Sequence, residues 1–395
     1  MISEAEALRR ILDAVTPLPV AEVPLPDALG LSCARTMLAD FPLPGFDNSM
    51  MDGYALRAAE STGERILNLK GVQPAGLDQS LICGPGEAVR VFTGAPIPAG
   101  ADAVIMQEDV QVLEDAIRCL EPVAPGENVR RAGADLCAGQ IMLKAGDALT
   151  PGRLGLLASQ GHATVPVHAP PKAALLTTGD ELRPPGAALL PGQIYNSNGV
   201  MLRAMLAQAG VRGATAAHCE DDFNATLEKL KRLIREHDMI LVSGGVSVGA
   251  RDQVKPALGA LGIEPEIWRV KVKPGKPFLF AQTTWQGRAV HIFGLPGNPV
   301  SGFVTFQLFV RPALLRLLGR TDTEPESLPA VCGRNLSNDS DRPHYLRGQL
   351  RHDRFIPQGV QMSHALFGLS QADTLLRLEP GQTIHEGENV RVFPF

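Results

Sequence analysis

A short apolar run that ends in two adjacent glycines constrains the fold of this chain more than any other stretch. Met239–Val242 has the length and branching of a buried strand, and Ser243-Gly244-Gly245 follows it directly. Paired glycines let backbone N–H groups turn towards one point without a Cβ in the way. At the carboxyl end of a strand in an α/β sheet, such a loop docks phosphate or another anion. The alternative is a strand-to-helix turn that needs glycine for geometry alone.

The same loop continues with Ser247 and Gly249 and closes at Asp252. A carboxylate at this position is suited to hold a metal ion beside the bound anion, because hard divalent cations prefer oxygen ligands. The stretch from Ser243 to Asp252 is therefore a candidate site for an anion together with a metal.

Strands alternate with helices on both sides of this loop, and the alternation predicts a doubly wound α/β domain over residues 172–320. The predicted strands are Ala173–Leu176, Ala214–His218, Met239–Val242, Glu266–Val272, Phe278–Phe280 and Ala289–Phe293. The predicted helices are Val200–Gln208, Asn224–His237, Val254–Leu261 and Pro299–Leu318, the last of them kinked by Pro312.

The rest of the chain has a different character. Residues 46–145 show short β-branched runs between Gly/Pro turns, which is typical of an inserted β module. Residues 321–395 show short strands between polar turns and predict a small C-terminal β-barrel. Residues 1–45 and 146–171 form an N-terminal linker domain, in which Ser3–Val15 is a predicted helix and Asp27–Leu38 a predicted second, short one.

Composition narrows the function classes. A length of 395 residues favours two to four domains, and the net charge of -5 with no basic run gives nucleic-acid binding little support. The amino-terminal stretch is charged and has no apolar signal-peptide core, and the most apolar stretch, Phe303–Val310, is too short to span a membrane. The six scattered cysteines include no C-x-x-C pair, so neither a zinc site nor a disulfide framework is indicated, and a cytoplasmic protein is expected.

Four loops follow predicted strands of the α/β domain and should share one crevice, because carboxyl ends of parallel strands meet at one edge of the sheet. The loops are Thr177–Glu181, Asp221-Asp222, Ser243–Asp252 and Gly294–Ser301. They bring together glycines, hydroxyls and the carboxylates of Asp180, Glu181, Asp221, Asp222 and Asp252. Carboxylates beside a phosphate-binding loop usually share a cation, most often Mg²⁺.

Three lysines, Lys271, Lys273 and Lys276, surround Pro274-Gly275 and are expected to lie close together. Clustered ammonium groups repel each other unless an anion neutralises them, although a solvated charge run is an equally good explanation. The start of the helix at Pro299 offers further N–H groups. The crevice therefore suits a phosphate ester, a divalent metal and a second anion.

Six motifs, in this order and at these spacings, resemble the molybdopterin molybdenumtransferase family, known as MoeA in bacteria and as the E domain of gephyrin in animals. They are FDNSMMDGYALR, TGAPIPAGADAVIMQED, TTGDEL, SGGVSVGARD, KPGKP and GLPGNPVS. The resemblance covers essentially the whole chain. It implies a homodimer whose N-terminal domain serves in dimerisation, with each crevice formed by the α/β domain of one subunit and the β module of its partner.

The resemblance also implies the reaction. Adenylylated molybdopterin and molybdate are the substrates, the phosphoanhydride is cleaved with Mg²⁺, and AMP and molybdenum cofactor are released. The partners implied are a molybdopterin adenylyltransferase and acceptor molybdoenzymes or their chaperones, with no nucleic acid and no membrane. The catalytic residues implied are Asp52, Asp135, Asp221 and Asp252, and the metal ligands are Glu181, Asp221 and Asp252. The substrate-binding residues are Thr93, Ser243, Gly244, Gly245, Ser247, Gly249, Lys273, Lys276, Pro296, Asn298, Arg347 and Ser363.

The residues alone would not have selected those in the β module. Asp52-Gly53 is typical of a turn, and the arginines near Asp135 are typical of surface ion pairing. Lys273, Lys276, Arg347 and Ser363, by contrast, suit a pocket for a tetrahedral dianion such as molybdate.

Three other functions remain open at this point. A molybdopterin adenylyltransferase has a related α/β domain but lacks the β module and the barrel. A non-catalytic pterin-binding scaffold or carrier is disfavoured because the chain has no fused adenylyltransferase domain. A diverged relative that binds pterin without turnover is disfavoured by Asp52, Asp252, Lys273 and Lys276.

Overall fold

The computed structural model describes residues 1–63, 65–246 and 252–395 of the chain. They form two compact units. The larger unit comprises Met1–Arg35, Ala145–Gly155 and His162–Phe395, and the smaller unit comprises Thr36–Lys144 and Leu156–Gly161.

A six-stranded sheet forms the centre of the larger unit. In spatial order its strands are Thr215–Cys219, Ala173–Thr178, Met239–Ser243, Arg288–Leu295, Leu279–Trp285 and Ile267–Trp268. The first four are parallel to one another, and the remaining two pairings are antiparallel. This is the sheet of a doubly wound α/β fold with an antiparallel edge, as the sequence predicted.

The strand order creates a crevice at one edge of this sheet. The chain passes from Ala173–Thr178 to its neighbour on one side, Thr215–Cys219, and then to its neighbour on the other side, Met239–Ser243. Because such crossover connections are right-handed, the loops after Thr178 and Ser243 leave the sheet towards opposite faces. Ligands of α/β sheets bind at such a switch point, outside the carboxyl ends of the strands.

The central strands are apolar because both of their faces are buried. Leu176, Ile240 and Val242 pack in a core cluster with Leu230, Leu233 and Ile234 of the helix Phe223–Glu236. The alternate residues Leu175 and Leu241 are equally buried, and the helix Ser197–Gln208 packs against their side of the domain. Near-continuous burial explains why these strands read as apolar runs rather than as alternating ones.

The helices are Glu4–Ala14, Pro151–Ser159, Ser197–Gln208, Phe223–Glu236, Val254–Ala260, Pro299–Thr305, Arg311–Leu317 and Leu366–Ser370. Those predicted at the N-terminus and in the α/β domain lie close to their predicted bounds. Short 3₁₀ turns occupy Leu25–Asp27, Ala58–Glu60 and Gln107–Asp109. Ser3 caps the first helix by accepting a hydrogen bond from the Glu6 backbone N–H at 3.2 Å. The interval Phe306–Val310 is a π-helical segment that joins its two neighbours into one helix, Pro299–Leu317.

Pro299–Leu317 is long and apolar enough to cross a membrane by length and composition, but 78% of its most apolar window is buried inside the protein. A core helix of a soluble protein passes the same test. Phe306, Val310 and Leu314 are all at most 1% exposed, so the apolar surface of this helix is used in packing.

A closed five-stranded barrel follows the α/β domain in the larger unit, as predicted. Around the barrel its strands are Leu328–Cys332, Arg354–Pro357, His344–Arg351, Thr374–Leu378 and Asn389–Pro394. Three short pairs complete the unit: Val20–Pro24 with Thr164–His168, Leu182–Arg183 with Ile194–Tyr195, and Leu336–Ser337 with Thr383–Ile384.

The smaller unit is built on a second six-stranded sheet. In spatial order its strands are Ala103–Met106, Gly53–Leu56, Glu87–Val91, Ile66–Gln73, Ala116–Cys119 and Val110–Val112. Two short pairs accompany it, Asn48–Ser49 with Val129–Arg130 and Met37–Leu38 with Ile141–Leu143. Its strand content agrees with the predicted β module.

Two local predictions were wrong. Asp27–Leu38 is not a helix: Asp27 ends the 3₁₀ turn Leu25–Asp27 and Met37–Leu38 is a short strand, because the backbone of Ser32 pairs with Ala148. The strand predicted over Glu266–Val272 is limited to Ile267–Trp268, since Arg269 has a positive φ of 67° that ends the extended backbone. Pro312 lies in the first turn of the helix Arg311–Leu317, directly after the π-helical segment, and the kink expected there stays a prediction.

Acid should destabilise the α/β domain through His291, whose ring is 2% exposed. Burial lowers the pKa of His291 from 6.5 to about 4. Between these two values the unfolded chain takes up a proton that the folded chain does not, so stability is complete above about pH 6.5 and falls as the pH drops towards 4. The full effect is at most about 3 kcal/mol.

We expect His291→Leu to show a shallower loss of stability over this range. Urea unfolding followed by tryptophan fluorescence at several pH values would measure it, since both tryptophans of the chain, Trp268 and Trp285, lie in this domain. Exposed His385→Gln is the control and should keep the slope of the wild type. Equal slopes for His291→Leu and wild type would contradict the assignment.

Candidate functional site

A cleft of about 710 Å³ opens at the carboxyl edge of the α/β sheet. All four loops predicted to share a crevice contribute to its walls. Its lining includes Thr178, Gly179, Glu181, Tyr195, Asn196, Asn198, Asp221, Ser243, Gly244, Gly245, Asp252, Pro277, Pro296, Gly297, Asn298 and His364. A volume of this size fits a small-molecule substrate or cofactor.

The two adjacent glycines sit where no other residue fits. Gly244 has φ +96° and Gly245 has φ +66°, both in the left-handed region that favours glycine. A Cβ on Gly244 would lie 2.8 Å from the Thr178 carbonyl oxygen, and one on Gly245 would lie 2.9 Å from the Thr178 hydroxyl and from Val254 Cγ2. The loop therefore passes directly over the end of the neighbouring strand, with its backbone facing the cleft.

Acidic side chains from three loops line the cleft. They are Glu181, Asp221 and Asp252, the residues predicted as metal ligands. Asp180 is engaged within the loops, because its carboxylate accepts the backbone N–H of Asp221 at 3.0 Å. Within residues 1–63, 65–246 and 252–395, no three His, Cys, Asp or Glu side chains are close enough to hold a metal ion on their own.

Asp222, which precedes the helix Phe223–Glu236, serves another purpose. Its carboxylate accepts the backbone N–H of Ala225 at 2.7 Å and so caps the helix. Of the two adjacent acids, Asp221 thus lines the cleft and Asp222 caps the helix.

Two asparagines tie the cleft walls together. Asn196 caps the helix Ser197–Gln208 through the Gly199 N–H and donates to Thr177 Oγ1 at 2.8 Å. Asn198 donates from Nδ2 to Ser243 Oγ at 3.0 Å and to the Gly297 carbonyl oxygen at 2.7 Å. Through Asn198, the glycine loop and the turn before the long helix are held to one another.

The barrel reaches the cleft through Ser363 and His364. Asn298 Nδ2 donates to Ser363 Oγ at 3.1 Å, and the Val300 N–H donates to the Ser363 carbonyl oxygen at the same distance. These bonds attach the barrel loop to the first turn of the helix that starts at Pro299. The predicted pair Asn298 and Ser363 is thus in direct contact, and His364 continues the cleft wall.

The lysine loop lies at the rim. Pro277 lines the cleft, whereas the side chains of Lys273 and Lys276 are not part of its lining. Lys273 is half-buried because its backbone pairs with the barrel, donating to the Pro343 carbonyl oxygen and accepting from the Tyr345 N–H, both at 2.8 Å. Burial, and then the positive charge of Lys273, lowers the pKa of neighbouring His344 to about 4.

Arg347 lies behind the barrel loop. It is 1% exposed, and its guanidinium donates to the carbonyl oxygens of Met362 at 3.1 Å and Val360 at 2.5 Å. Burial lowers the pKa of this guanidinium. The side chain thus holds the loop that carries Ser363, and its predicted direct role in oxyanion binding stays a prediction.

The smaller unit contains a separate polar pair, Asp52 and Thr93. One carboxylate oxygen of Asp52 accepts the Thr93 backbone N–H at 2.8 Å and the Thr93 hydroxyl at 2.9 Å. The hydrogen bond from the Thr93 backbone N–H, followed by that from its hydroxyl, lowers the pKa of Asp52. Asp135 is exposed in the same unit.

Sequence reasoning missed Asn196, Asn198 and His364 as cleft residues, whereas Ser247 and Gly249 lie outside the described residues. A signal for the asparagines was present in the motif IYNSNG, which directly precedes a helix. Polar residues at that position cap the helix and lie beside the carboxyl ends of the strands. Two orphaned atoms mark the site further: Thr178 Oγ1 and Asn198 Oδ1 are buried without a hydrogen-bond partner in the described part of the chain.

Comparison with protein families finds three matches in chain order. Residues 2–161 match the MoeA N-terminal region (domain I and II). Residues 174–316 match a probable molybdopterin binding domain. Residues 329–395 match the MoeA C-terminal region (domain IV). The cleft described above lies mainly within the second of these regions.

Individual relatives are similar over most of their length. The chain is 36% identical to molybdopterin molybdenumtransferase 2 of Mycobacterium tuberculosis, covering 90% of this chain and 89% of that protein. It is 31% identical to molybdopterin molybdenumtransferase of Staphylococcus aureus, covering 95% and 91%. A crystal structure of the molybdopterin biosynthesis MoeA protein from Pyrococcus horikoshii matches with a TM-score of 0.80 at 28% identity, covering both chains completely.

We expect Gly244→Ala to destabilise the α/β domain by more than the usual cost of placing alanine at a positive φ. Gly186 is a matched control, because its φ of +90° is similar but a Cβ there would meet nothing within 4 Å. Gly186→Ala should cost about 1 kcal/mol, whereas Gly244→Ala adds the clash with Thr178. Urea unfolding measures both variants, and equal losses would show that the close approach to Thr178 is unimportant.

Proposed function

Because this chain belongs to the molybdopterin molybdenumtransferase (MoeA) family, which acts in molybdenum cofactor biosynthesis, we propose that it inserts molybdenum into molybdopterin. The substrates are adenylylated molybdopterin and molybdate. Cleavage of the phosphoanhydride releases AMP, and the molybdenum cofactor is the second product. An adenylyltransferase is disfavoured, because the chain matches family regions on both sides of the molybdopterin binding domain.

One observation carries this proposal beyond family membership. The cleft combines a glycine loop without side chains and three carboxylates from separate loops at the switch point of a parallel sheet. Glycine backbone beside a strand end is suited to phosphate oxygens. Carboxylates that line the same cleft are suited to a cation that neutralises those oxygens.

Glu181, Asp221 and Asp252 fit Mg²⁺ in a particular way. They line one cleft but form no preassembled three-ligand cluster among the described residues. Mg²⁺ is commonly held by one or two carboxylates together with substrate phosphates and water, so these side chains are suitable ligands once a phosphoanhydride is bound. When bound, the ion would supply charge neutralisation at the phosphates.

The protein's own groups position the substrate. The backbone of Gly244 and Gly245 faces the phosphates, while Ser243 contributes a hydroxyl from the strand end. Phosphoryl chemistry depends mainly on positioning and on charge stabilisation, so a rigid wall is itself catalytic. Asn196 and Asn198 provide that rigidity through the hydrogen bonds between the loops.

Molybdate binding is assigned to the barrel side of the cleft rim. Lys273 and Lys276 belong to the loop whose Pro277 lines the cleft, and Ser363 is held there by Asn298. Ammonium and hydroxyl groups are appropriate donors for a tetrahedral dianion. Tungstate has the same shape and charge and should compete for this position.

We also propose that the enzyme is a cytoplasmic homodimer in which Asp52, Thr93 and Asp135 take part in catalysis or substrate binding. The hydrogen bonds from Thr93 to Asp52 are preformed and hold the carboxylate in one orientation, which supports this proposal. Size-exclusion chromatography with light scattering should give the mass of two chains, and a strictly monomeric active enzyme would contradict the dimer.

AMP release tests the reaction directly. With adenylylated molybdopterin and Mg²⁺, the wild type should release AMP in a molybdate-dependent manner. Asp252→Asn should lower the rate by about a hundredfold or more, because it removes charge from the cation-binding wall. The exposed surface acid Asp13, whose side chain is 65% exposed, provides the control variant Asp13→Asn with the rate of the wild type.

Two outcomes are decisive. Molybdate-dependent release that Asp252→Asn abolishes and Asp13→Asn retains supports coupled cleavage and insertion. Binding of adenylylated molybdopterin without AMP release under any condition leaves a pterin-binding carrier and removes the transferase.

A further inference from the structure

Asn198 is a cleft residue that none of the predicted roles includes. It lies in the first turn of the helix Ser197–Gln208 and is 9% exposed. Its Nδ2 donates two hydrogen bonds, one to Ser243 Oγ and one to the Gly297 carbonyl oxygen. All three residues line the same cleft.

The orientation of the Asn198 amide follows from chemistry. The Gly297 carbonyl oxygen only accepts hydrogen bonds, so the Asn198 atom 2.7 Å away must be the nitrogen. The oxygen, Oδ1, is then the other terminal atom, and it is buried with no donor among the described residues. The amide is thus held by its two N–H groups alone.

This orientation decides what Ser243 can do. Its Oγ accepts the Asn198 N–H at 3.0 Å, so one of its acceptor positions is occupied. The hydroxyl proton must point elsewhere, and among the described residues the side chain has no other hydrogen-bond partner. Ser243 is 2% exposed overall and lines the cleft, so the space available to this proton is the cleft.

We propose that Asn198 is a positioning residue that orients the Ser243 hydroxyl as a hydrogen-bond donor to a phosphate oxygen of the substrate. The second N–H of Asn198 holds Gly297, so the turn Pro296–Asn298 is fixed relative to that hydroxyl. This inference rests on the proposed function, because it names the group of the substrate that Ser243 contacts. The phosphate belongs either to the nucleotide or to molybdopterin itself.

A conservative substitution reverses the hydrogen bond. Asn198→Asp keeps the size of the side chain but exchanges the donor for an acceptor, so the Ser243 hydroxyl donates to the new carboxylate and is withdrawn from the ligand. Hydrogen bonds to charged groups are among the stronger ones, and we expect the dissociation constant to rise by about tenfold or more. The dissociation constants of AMP and of molybdopterin, each with a single phosphate monoester, are to be measured separately by equilibrium dialysis. The ligand whose dissociation constant rises carries the phosphate that Ser243 contacts.

A double-mutant cycle separates positioning from a general structural effect. If Asn198 acts through Ser243, then Asn198→Asp should weaken binding little further in a Ser243→Ala background. Asn198→Ala removes the donor without adding a buried charge, and it should show the same coupling if Asn198→Asp folds poorly. Tryptophan fluorescence reports folding of the domain in every variant.

Asn338 is the matched control. It is a buried asparagine of the barrel region, 1% exposed, whose Nδ2 donates to the carbonyl oxygens of Arg342, Leu378 and Glu379. Asn338→Asp should lower the melting temperature but leave both dissociation constants within about twofold of the wild type.

The possible results are distinguishable. Unchanged dissociation constants in Asn198→Asp, an equal loss with and without Ser243, or an equal loss in Asn338→Asp would each overturn the positioning role while leaving the transferase intact. A wild-type protein that binds neither AMP nor molybdopterin would overturn the proposed function, and this inference with it.

Discussion

The close approach of Gly244 and Gly245 to Thr178 is the contact on which the site depends. A chain leaving the strand Met239–Ser243 must turn across its parallel neighbour, and any Cβ at either position would lie within 3.0 Å of an atom of Thr178. Since no other side chain fits, the wall of the cleft at this point consists of backbone. The acids of the neighbouring loops and the hydroxyl of Ser243 then face the same space.

The elements that could be predicted from the sequence are those in which the local pattern of apolar residues reflects burial in the fold. Met239–Val242 is apolar because both faces of its sheet are covered, and the run stops where the glycine loop begins. The helix Phe223–Glu236 was predicted within one residue at either end, since its apolar stripe packs on that sheet. Asp27–Leu38 was misread because its backbone partner is about 115 residues away in the chain, and no local pattern records such a pairing.

The candidate site divides in the same way. Glu181, Asp221, Asp252 and the paired glycines could be placed in one cleft from their positions after strands, and the structure brings them together. The motif IYNSNG could have placed Asn198 near the cleft, but not its hydrogen bonds, because both partners, Ser243 and Gly297, are distant in sequence. The sequence also did not predict that Arg347, chosen for its charge, donates hydrogen bonds to the backbone of the loop that carries Ser363.

The main segment of the smaller unit, Thr36–Lys144, begins and ends at points where the chain runs side by side with itself. Met37–Leu38 pairs with Ile141–Leu143, and on the larger unit Cys33 exchanges backbone hydrogen bonds with Asp147 and Gly146. About a hundred residues are thus inserted between two points that are already neighbours. Because the ends of the folded insertion are neighbours, the larger unit closes only a short effective loop at this point. The length of the insertion therefore adds little to the loop-closure entropy that the larger unit loses when it folds. Such a junction lets a large folded segment be gained, lost or exchanged in evolution while the larger unit keeps its connectivity.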